Sequence, residues 1–403
     1  MTITQLPPLS LYIHFPWCVQ KCPYCDFNSH SIKNKIPEDE YINALLLDLE
    51  QELPSIWGRQ LTSIFIGGGT PSLMSAEAME RLLSGIRARL PFLADTEVTM
   101  EANPGTVDAE KFLGFFQAGI NRISIGFQSF NNQFLSSLGR IHSSEEAIKA
   151  FEIARQAGFA NINLDLMYAL PNQTISQAMD DLSIAVKLKP EHLSWYQLTL
   201  EPNTAFHHSP PKLMPNEDLL ADISDAGLDF LQQQNYQRYE ISAFSRNGQF
   251  NSWHNTNYWQ FGDYLGLGAG AHGKITRADT QQIIRASKRR SPKDYLDQQK
   301  SFIAQSRIIK PQELPIEFMM NAMRLKNGVD KNLFFQTTGL LLSQIEHVIK
   351  QCEERGLLVK TQTRIKPTET GFKFLNEILS EFMEENFPKL NQRKQITIGL
   401  SQG

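Results

Sequence analysis

Along the first half of the chain, short apolar runs alternate with stretches in which apolar residues recur at helical spacing. The runs are Leu9–Phe15 (LSLYIHF), Leu61–Gly67 (LTSIFIG), Glu97–Ala102 (EVTMEA), Arg122–Gln128 (RISIGFQ), Asn161–Ala169 (NINLDLMYA) and His192–Leu200 (HLSWYQLTL). They are rich in Ile, Val, Leu and Tyr, which suits strands buried on at least one face. Helices are predicted between them. Pro37 opens one, and Tyr41, Leu45 and Leu49 recur at i, i+4, i+8 on a single face. Ser143 with Glu146 reads as a capping box that starts another, and Gly158 fits its stop. Six strand–helix repeats imply a parallel α/β sheet, because each return needs a crossover helix. An open doubly wound sheet and a partly closed barrel both satisfy the pattern. Both place chemistry at the C-terminal ends of the strands.

After residue 203 the pattern loosens. Tyr239–Phe244 is a strand candidate, followed by an aromatic run (SWHNTNYW) and a glycine-rich stretch (GLGAGAHG). The basic run Arg285–Lys293 (RASKRRSPK) reads as a solvated linker. From about residue 312 helical spacing dominates, with a β-like piece (GLLVKTQTRIK) and a last helix from about Thr368. The expected division is a core over 1–205, an accessory region over 206–300 and a mostly helical, winged-helix-like unit over 301–403.

Composition narrows the classes. The 403 residues carry 39 Lys+Arg against 43 Asp+Glu, a formal charge of −4. That near-neutral balance argues against a protein that coats nucleic acid. No apolar run approaches the roughly 18–20 residues of a membrane span. The first residues, MTITQLPPLS, lack the basic and apolar parts of a signal peptide. Four cysteines do not make a disulfide scaffold, so a reducing, cytoplasmic compartment is expected.

Three of those cysteines, Cys18, Cys22 and Cys25, lie in one loop after the first strand, spaced C-x3-C-x2-C. A zinc site would need a fourth ligand, from His14 or His30. A [4Fe–4S] cluster usually takes four cysteines, and three would leave one iron open for another ligand. Other strand ends add polar groups. The second strand runs into Gly67-Gly68-Gly69-Thr70-Pro71, where the lack of Cβ atoms permits close approach of a ligand. Glu101, Gln128 and Asp165 stand at or near the ends of three successive strands, as in a site lining. Tyr12, Tyr24 and Arg140 are candidates to join them.

The cysteine loop, GGGTP and these strand ends resemble the radical S-adenosylmethionine (SAM) superfamily, and within it the oxygen-independent coproporphyrinogen III oxidase group. The resemblance runs from about Leu9 to the C-terminal helical unit. It implies a partial (βα)6 TIM-like barrel with a cluster at its mouth. Cys18, Cys22 and Cys25 would ligate three irons, and the fourth would chelate SAM. Gly68, Gly69 and Thr70 would border the methionine moiety. Glu101, Gln128, Arg140 and Asp165 would hold the methionine, ribose and sulfonium regions, with Tyr12 and Tyr24 packed nearby. A reduced cluster can put an electron into the C–S bond of an adjacent sulfonium, while the protein positions the cofactors and excludes water.

Two branches of the group differ at readable positions. The oxidase has a further cysteine two residues beyond the third, where Phe27 stands here, and an extended arm before the first strand, where about eight residues stand here. The haem-chaperone branch shares C-x3-C-x2-C-x-F and an HNxxYW motif, present as His254-Asn255-Thr-Asn-Tyr258-Trp259. Imidazole ligates haem iron and aromatic rings pack on porphyrin. If the segment is helical, His254 and Tyr258 share a face, as do Asn255 and Trp259. His14 and His272 are weaker axial-ligand candidates. Cys352 falls in an i, i+3, i+4, i+7 stripe with Ile345, Val348 and Ile349, and is expected in a core. The resemblance thus implies haem transfer to respiratory haemoproteins, with the oxidase as the alternative. It assigns no catalytic residue, and leaves a membrane-associated acceptor and a homodimer open.

Overall fold

The computed structural model describes residues 2–33 and 35–387. Among the described residues one sheet of 12 strands dominates. Its centre is six parallel strands in chain order: β1 (Leu9–Phe15), β2 (Leu61–Gly68), β3 (Phe92–Ala102), β4 (Arg122–Gln128), β5 (Ile162–Tyr168) and β6 (His192–Gln197). The predicted runs become these strands. The sheet then continues at both edges. β7 (Tyr236–Arg238) and β8 (Ala243–Arg246) form a hairpin, with β8 antiparallel to β6. On the other side β9 (Asp263–Leu267) pairs parallel to β1 and leads into antiparallel β10 (His272–Arg277), β11 (Gln282–Lys288) and β12 (Ile303–Ile308).

Each central strand has an apolar and a polar face. Leu11, Ile13, Ile64, Ile66, Val98, Met100, Ile123, Ile125, Leu164 and Leu193 belong to one continuous buried core, which also takes Tyr41, Leu45 and Leu49 from the helix Glu38–Glu52. Apart from Phe65 in β2, the alternating positions are mostly polar or small. They include Ser10 and Tyr12, Ser63 and Gly67, Glu97 and Glu101, Arg122 and Ser124, Asn163 and Asp165, His192 and Ser194. They hydrogen-bond across strands, as Ser63 to Ser10 at 2.7 Å and Asn163 to Ser124 at 2.7 Å. A barrel of this kind is ordinarily filled by branched apolar side chains. Here the interior is polar and open.

Local expectations hold where the signal is short-range. The helix Ser144–Gln156 begins with both halves of the capping box, Glu146 N–H donating to Ser143 at 3.2 Å and Ser143 N–H to Glu146 at 2.8 Å. Three expectations fail where strand pairing decides. Tyr239–Phe244 is mostly the hairpin connection, not a strand. Arg285–Lys293 is not a linker. Arg285 to Lys288 end β11, where Lys288 is buried against Asp48 and Glu52 and Arg285 meets Glu317. The boundary expected at residue 301 falls inside the sheet, because β12 pairs with β11.

The C-terminal unit packs helices Leu314–Ala322, Lys331–Thr338 and Glu346–Glu354 with a two-stranded ribbon, Val329–Asp330 and Arg364–Ile365. Most of the β-like piece forms no ladder beyond that ribbon and one bridge, Leu358 to Pro367. The unit has its own core, in which Cys352 is fully buried with Ile345, Val348 and Ile349. Burial pushes that thiol up to about 11, away from ligand chemistry. No described helix is long and apolar enough to cross a membrane.

Candidate functional site

Two cavities open on the polar face of the barrel and share Phe27, Phe65 and Asn255 in their walls. The first, about 360 Å³, is the cysteine cavity. It collects Cys18, Cys22, Tyr24, Cys25, Gly68, Gly69, Thr70, Glu101, Gln128, Arg140 and Asp165. Tyr12 is not in its lining. It faces the second cavity, with its ring 6.3 Å from Phe65 and its hydroxyl 2.9 Å from His14 Nδ1.

Backbone geometry at the strand tips makes the cysteine cavity. Gly68 adopts φ +109°, and a Cβ there would lie 2.5 Å from the His14 ring. A Cβ on Gly69 would lie 2.5 Å from the Trp17 carbonyl. Gly68 therefore needs glycine on both conformational and steric grounds, and Gly69 on steric grounds alone. Gln128 is left-handed at φ +67° without being glycine, and the β4–β5 register shifts between Gly126 and Gln128. A bulge of this kind re-aims a side chain, and Gln128 accepts from the Tyr196 hydroxyl at 2.8 Å.

Electrostatics divide the cavity. Burial raises the thiols of Cys18 and Cys25, with Thr70 beside Cys18, and the Phe27 backbone and Ser29 beside Cys25, acting against it. Arg140 reaches Cys22 Sγ at 3.8 Å and the Gly126 carbonyl at 2.9 Å, while its Nε has no protein partner. Across the cavity Glu101 accepts from Gly68 N–H at 3.0 Å. Burial, then the nearby Asp165, pushes Glu101 up to about 7. Burial also raises Asp165, which accepts from Ser124 and Asn163 at 2.8 Å each. Two carboxylates short of positive partners, opposite three thiols, suit a cationic ligand beside a metal centre.

The donor set, three free thiols of one loop in a single cavity, fits a cluster with one iron left open. All four cysteines are free thiols. Among the described residues no three His, Cys, Asp or Glu side chains converge on one ion. His14 cannot complete a zinc site, because both ring nitrogens are used, Nδ1 by Tyr12 and Nε2 by the Asn28 carbonyl at 2.9 Å. His30 is exposed.

The second cavity, about 870 Å³, gathers His254, Asn255, Tyr258 and Trp259 with Tyr12, Phe65, Tyr264, His14 and His272. HNxxYW does form a helix, Trp253–Trp259, capped by Ser252. Glu97 holds its start, accepting from Trp253 N–H and His254 N–H at 3.1 Å each. The His254 ring lies 5.1 Å from Phe65, and Nδ1 contacts Ser63 Oγ at 3.2 Å. Burial, with Arg122 adding to it, pushes His254 down to about 3, so the imidazole is neutral, the form that ligates metals. The Tyr258 hydroxyl accepts from Tyr264 at 3.2 Å.

Sequence reading missed Glu97, Arg122, Asn163 and Phe65. A period-two polar alternation would have found Glu97, Arg122 and Asn163, whereas Phe65 interrupts the polar face of β2 and carries no such signal. EVTMEA places Glu97 two steps before Thr99 and four before Glu101, and RISIGFQ places Arg122 in phase with Ser124.

Comparison with known proteins agrees with this geometry. Residues 12–185 match the radical SAM superfamily and residues 309–374 the HemN C-terminal domain. The solved coproporphyrinogen III oxidase of Escherichia coli superposes with a TM-score of 0.78, covering 94% of this chain and 90% of that one, at 24% identity. That likeness shows the fold. Fold and site together define a radical SAM protein with a partial TIM-like barrel and a helical C-terminal domain. Two curated relatives go further. "Heme chaperone HemW" of Escherichia coli is 48% identical over 383 residues, 95% of this chain and 100% of its own length. The protein of the same name in Haemophilus influenzae is 50% identical over 385 residues, 94% of this chain and 99% of its own. The chain belongs to the HemW family.

Proposed function

We propose that this protein is a haem chaperone that binds haem in the second cavity and passes it to respiratory haemoproteins. A SAM-ligated [4Fe–4S] cluster would occupy the cysteine cavity. The observation that carries this reading is the neutral, buried His254 in an aromatic cavity that adjoins the three cysteines. The names of the relatives support it.

Cys18, Cys22 and Cys25 would hold the cluster, and Gly68, Gly69 and Thr70 would border SAM. Glu101 and Asp165 would face its positive charge, with Gln128, Arg140 and Tyr24 completing the lining. When bound, the pair supplies one-electron chemistry at a sulfonium. The chain's own part is positional. Glu97 fixes the helix that carries His254, and Ser63 orients the imidazole. Tyr12 serves the haem side, stacked on Phe65. Phe27, in the lining of both cavities, stands where the oxidase would carry its extra cysteine.

The test is to reconstitute the cluster anaerobically and offer haem and coproporphyrinogen III in parallel, with SAM and a reductant. Stoichiometric haem binding without decarboxylation is expected. Formation of protoporphyrinogen IX overturns the reading.

A further inference from the structure

The second cavity is lined by both aromatic and polar side chains. Around His254 its wall is Phe65, Tyr258, Trp259 and Tyr264. The polar part of the wall comes from the β10–β12 strands and the loop after β11, with His272, Ser287, Lys288, Arg290 and Gln305. Asp26 is the one carboxylate in the lining. The cations there differ in what they already hold. Lys288 is bound by Asp48 and Glu52 at 2.6 Å each. Arg285, just behind, is bound by Glu317 at 3.0 and 2.5 Å. Arg290 has no carboxylate within ion-pair distance among the described residues.

The Arg290 backbone is nonetheless anchored. Its carbonyl accepts from Asn28 Nδ2 at 2.8 Å, tying it to the cysteine loop. Asn28 also donates to the Ala269 carbonyl at 2.9 Å. A cation free of carboxylates, on a backbone held in place, in the wall of an aromatic cavity suits a flat amphipathic ligand with acids along one edge. Haem has that shape, with both propionates on one edge and an apolar ring behind them.

We propose that Arg290 takes a propionate of a haem whose ring lies against Phe65 and Tyr258. The proposal rests on the haem reading above, and it makes Arg290 the residue that selects acid-bearing tetrapyrroles and sets which edge faces outward. Guanidinium and carboxylate match in geometry as well as charge.

The test compares haem with haem dimethyl ester, in which both acids are blocked. The full-length protein, its Arg290→Gln variant and its Arg290→Lys variant are titrated with each at low salt. The unsubstituted protein is expected to favour haem over the ester about fivefold, the size of one partly solvated charge pair. Arg290→Gln is expected to bring that ratio close to one, and Arg290→Lys to restore part of it. Arg290 is exposed, so the cluster absorbance checks that each variant is folded. An unchanged ratio, or equal weakening of both ligands, overturns the Arg290 assignment and leaves the haem reading standing. Failure of the unsubstituted protein to bind either ligand overturns the haem reading itself.

Discussion

The cysteine cavity and the second cavity share three wall residues but are assembled differently. The first is made of consecutive strand tips plus one loop, so its groups arrive one per repeat of the fold. The second draws on β1, the helix Trp253–Trp259, the β10–β12 strands and the cysteine loop, with Tyr12 and Gln305 about 290 residues apart. Their charge logic also differs. The cysteine cavity holds two carboxylates raised by burial, which a bound cation relieves. The second holds a histidine that burial keeps neutral, which needs no relief to act as a ligand. A site with unrelieved charge binds strongly but destabilises the empty fold, whereas a neutral site can load and unload at little cost.

The largest expected effect separates the two. Cys22→Ser should abolish the cluster absorbance, because three ligands are already the minimum for that cavity. Haem binding by the same variant should stay within about threefold, since the second cavity takes no cysteine. A loss of haem affinity parallel to the loss of cluster would show that the cavities are one site.

Next in size, His254→Ala should weaken haem binding by at least about tenfold and leave the cluster spectrum intact. The backbone bond from His254 N–H to Glu97 survives this change, so the helix keeps its start. Unchanged haem affinity would remove His254 as the ligand and direct attention to His272, the other histidine of the cavity with free ring nitrogens among the described residues.

The contrast between the cavities also explains which features are legible in the sequence alone. The cysteine loop, GGGTP and the strand-end polar residues are local signals, and their grouping follows from the rule that a parallel α/β sheet works at its C-terminal edge. Eight of the nine residues expected around SAM do share one cavity. Tyr12 does not, because β1 turns Tyr12 and His14 toward the second cavity and contributes no residue to the cysteine cavity. The helix of HNxxYW is legible from its i, i+4 spacing. Its setting is not, since the partner of His254 is Ser63 and the support of its helix is Glu97, 191 and 157 residues away. Arg285–Lys293 shows the same limit. A basic run looks solvated until Asp48, Glu52 and Glu317 arrive from elsewhere in the chain.

The smallest effects lie in pH dependence, and they sharpen the comparison most. Glu101, near 7 when folded, is protonated below that pH, so affinity for the cationic SAM should fall as pH drops from 8 to 6. Its folded value lies above its unfolded one. The empty fold therefore binds the extra proton between about 4.5 and 7, and its stability declines as pH rises through that window. Glu101→Gln keeps an acceptor for Gly68 N–H. It should stabilise the cofactor-free protein at pH 8 by on the order of 1–2 kcal/mol, after discounting for partial exposure to the cavity. The same variant should lose the pH dependence of SAM binding. His254 behaves in the opposite sense. Its folded value, about 3, lies below its unfolded one, so it favours the fold above about 6.5 and loses that contribution as pH falls toward 3. Since the folded imidazole stays neutral from pH 5 to 8, haem affinity should change by less than about twofold across that range. A fall of tenfold between pH 7 and 5 would mean that the imidazole is accessible and protonates, and the two cavities would then share one charge logic rather than two.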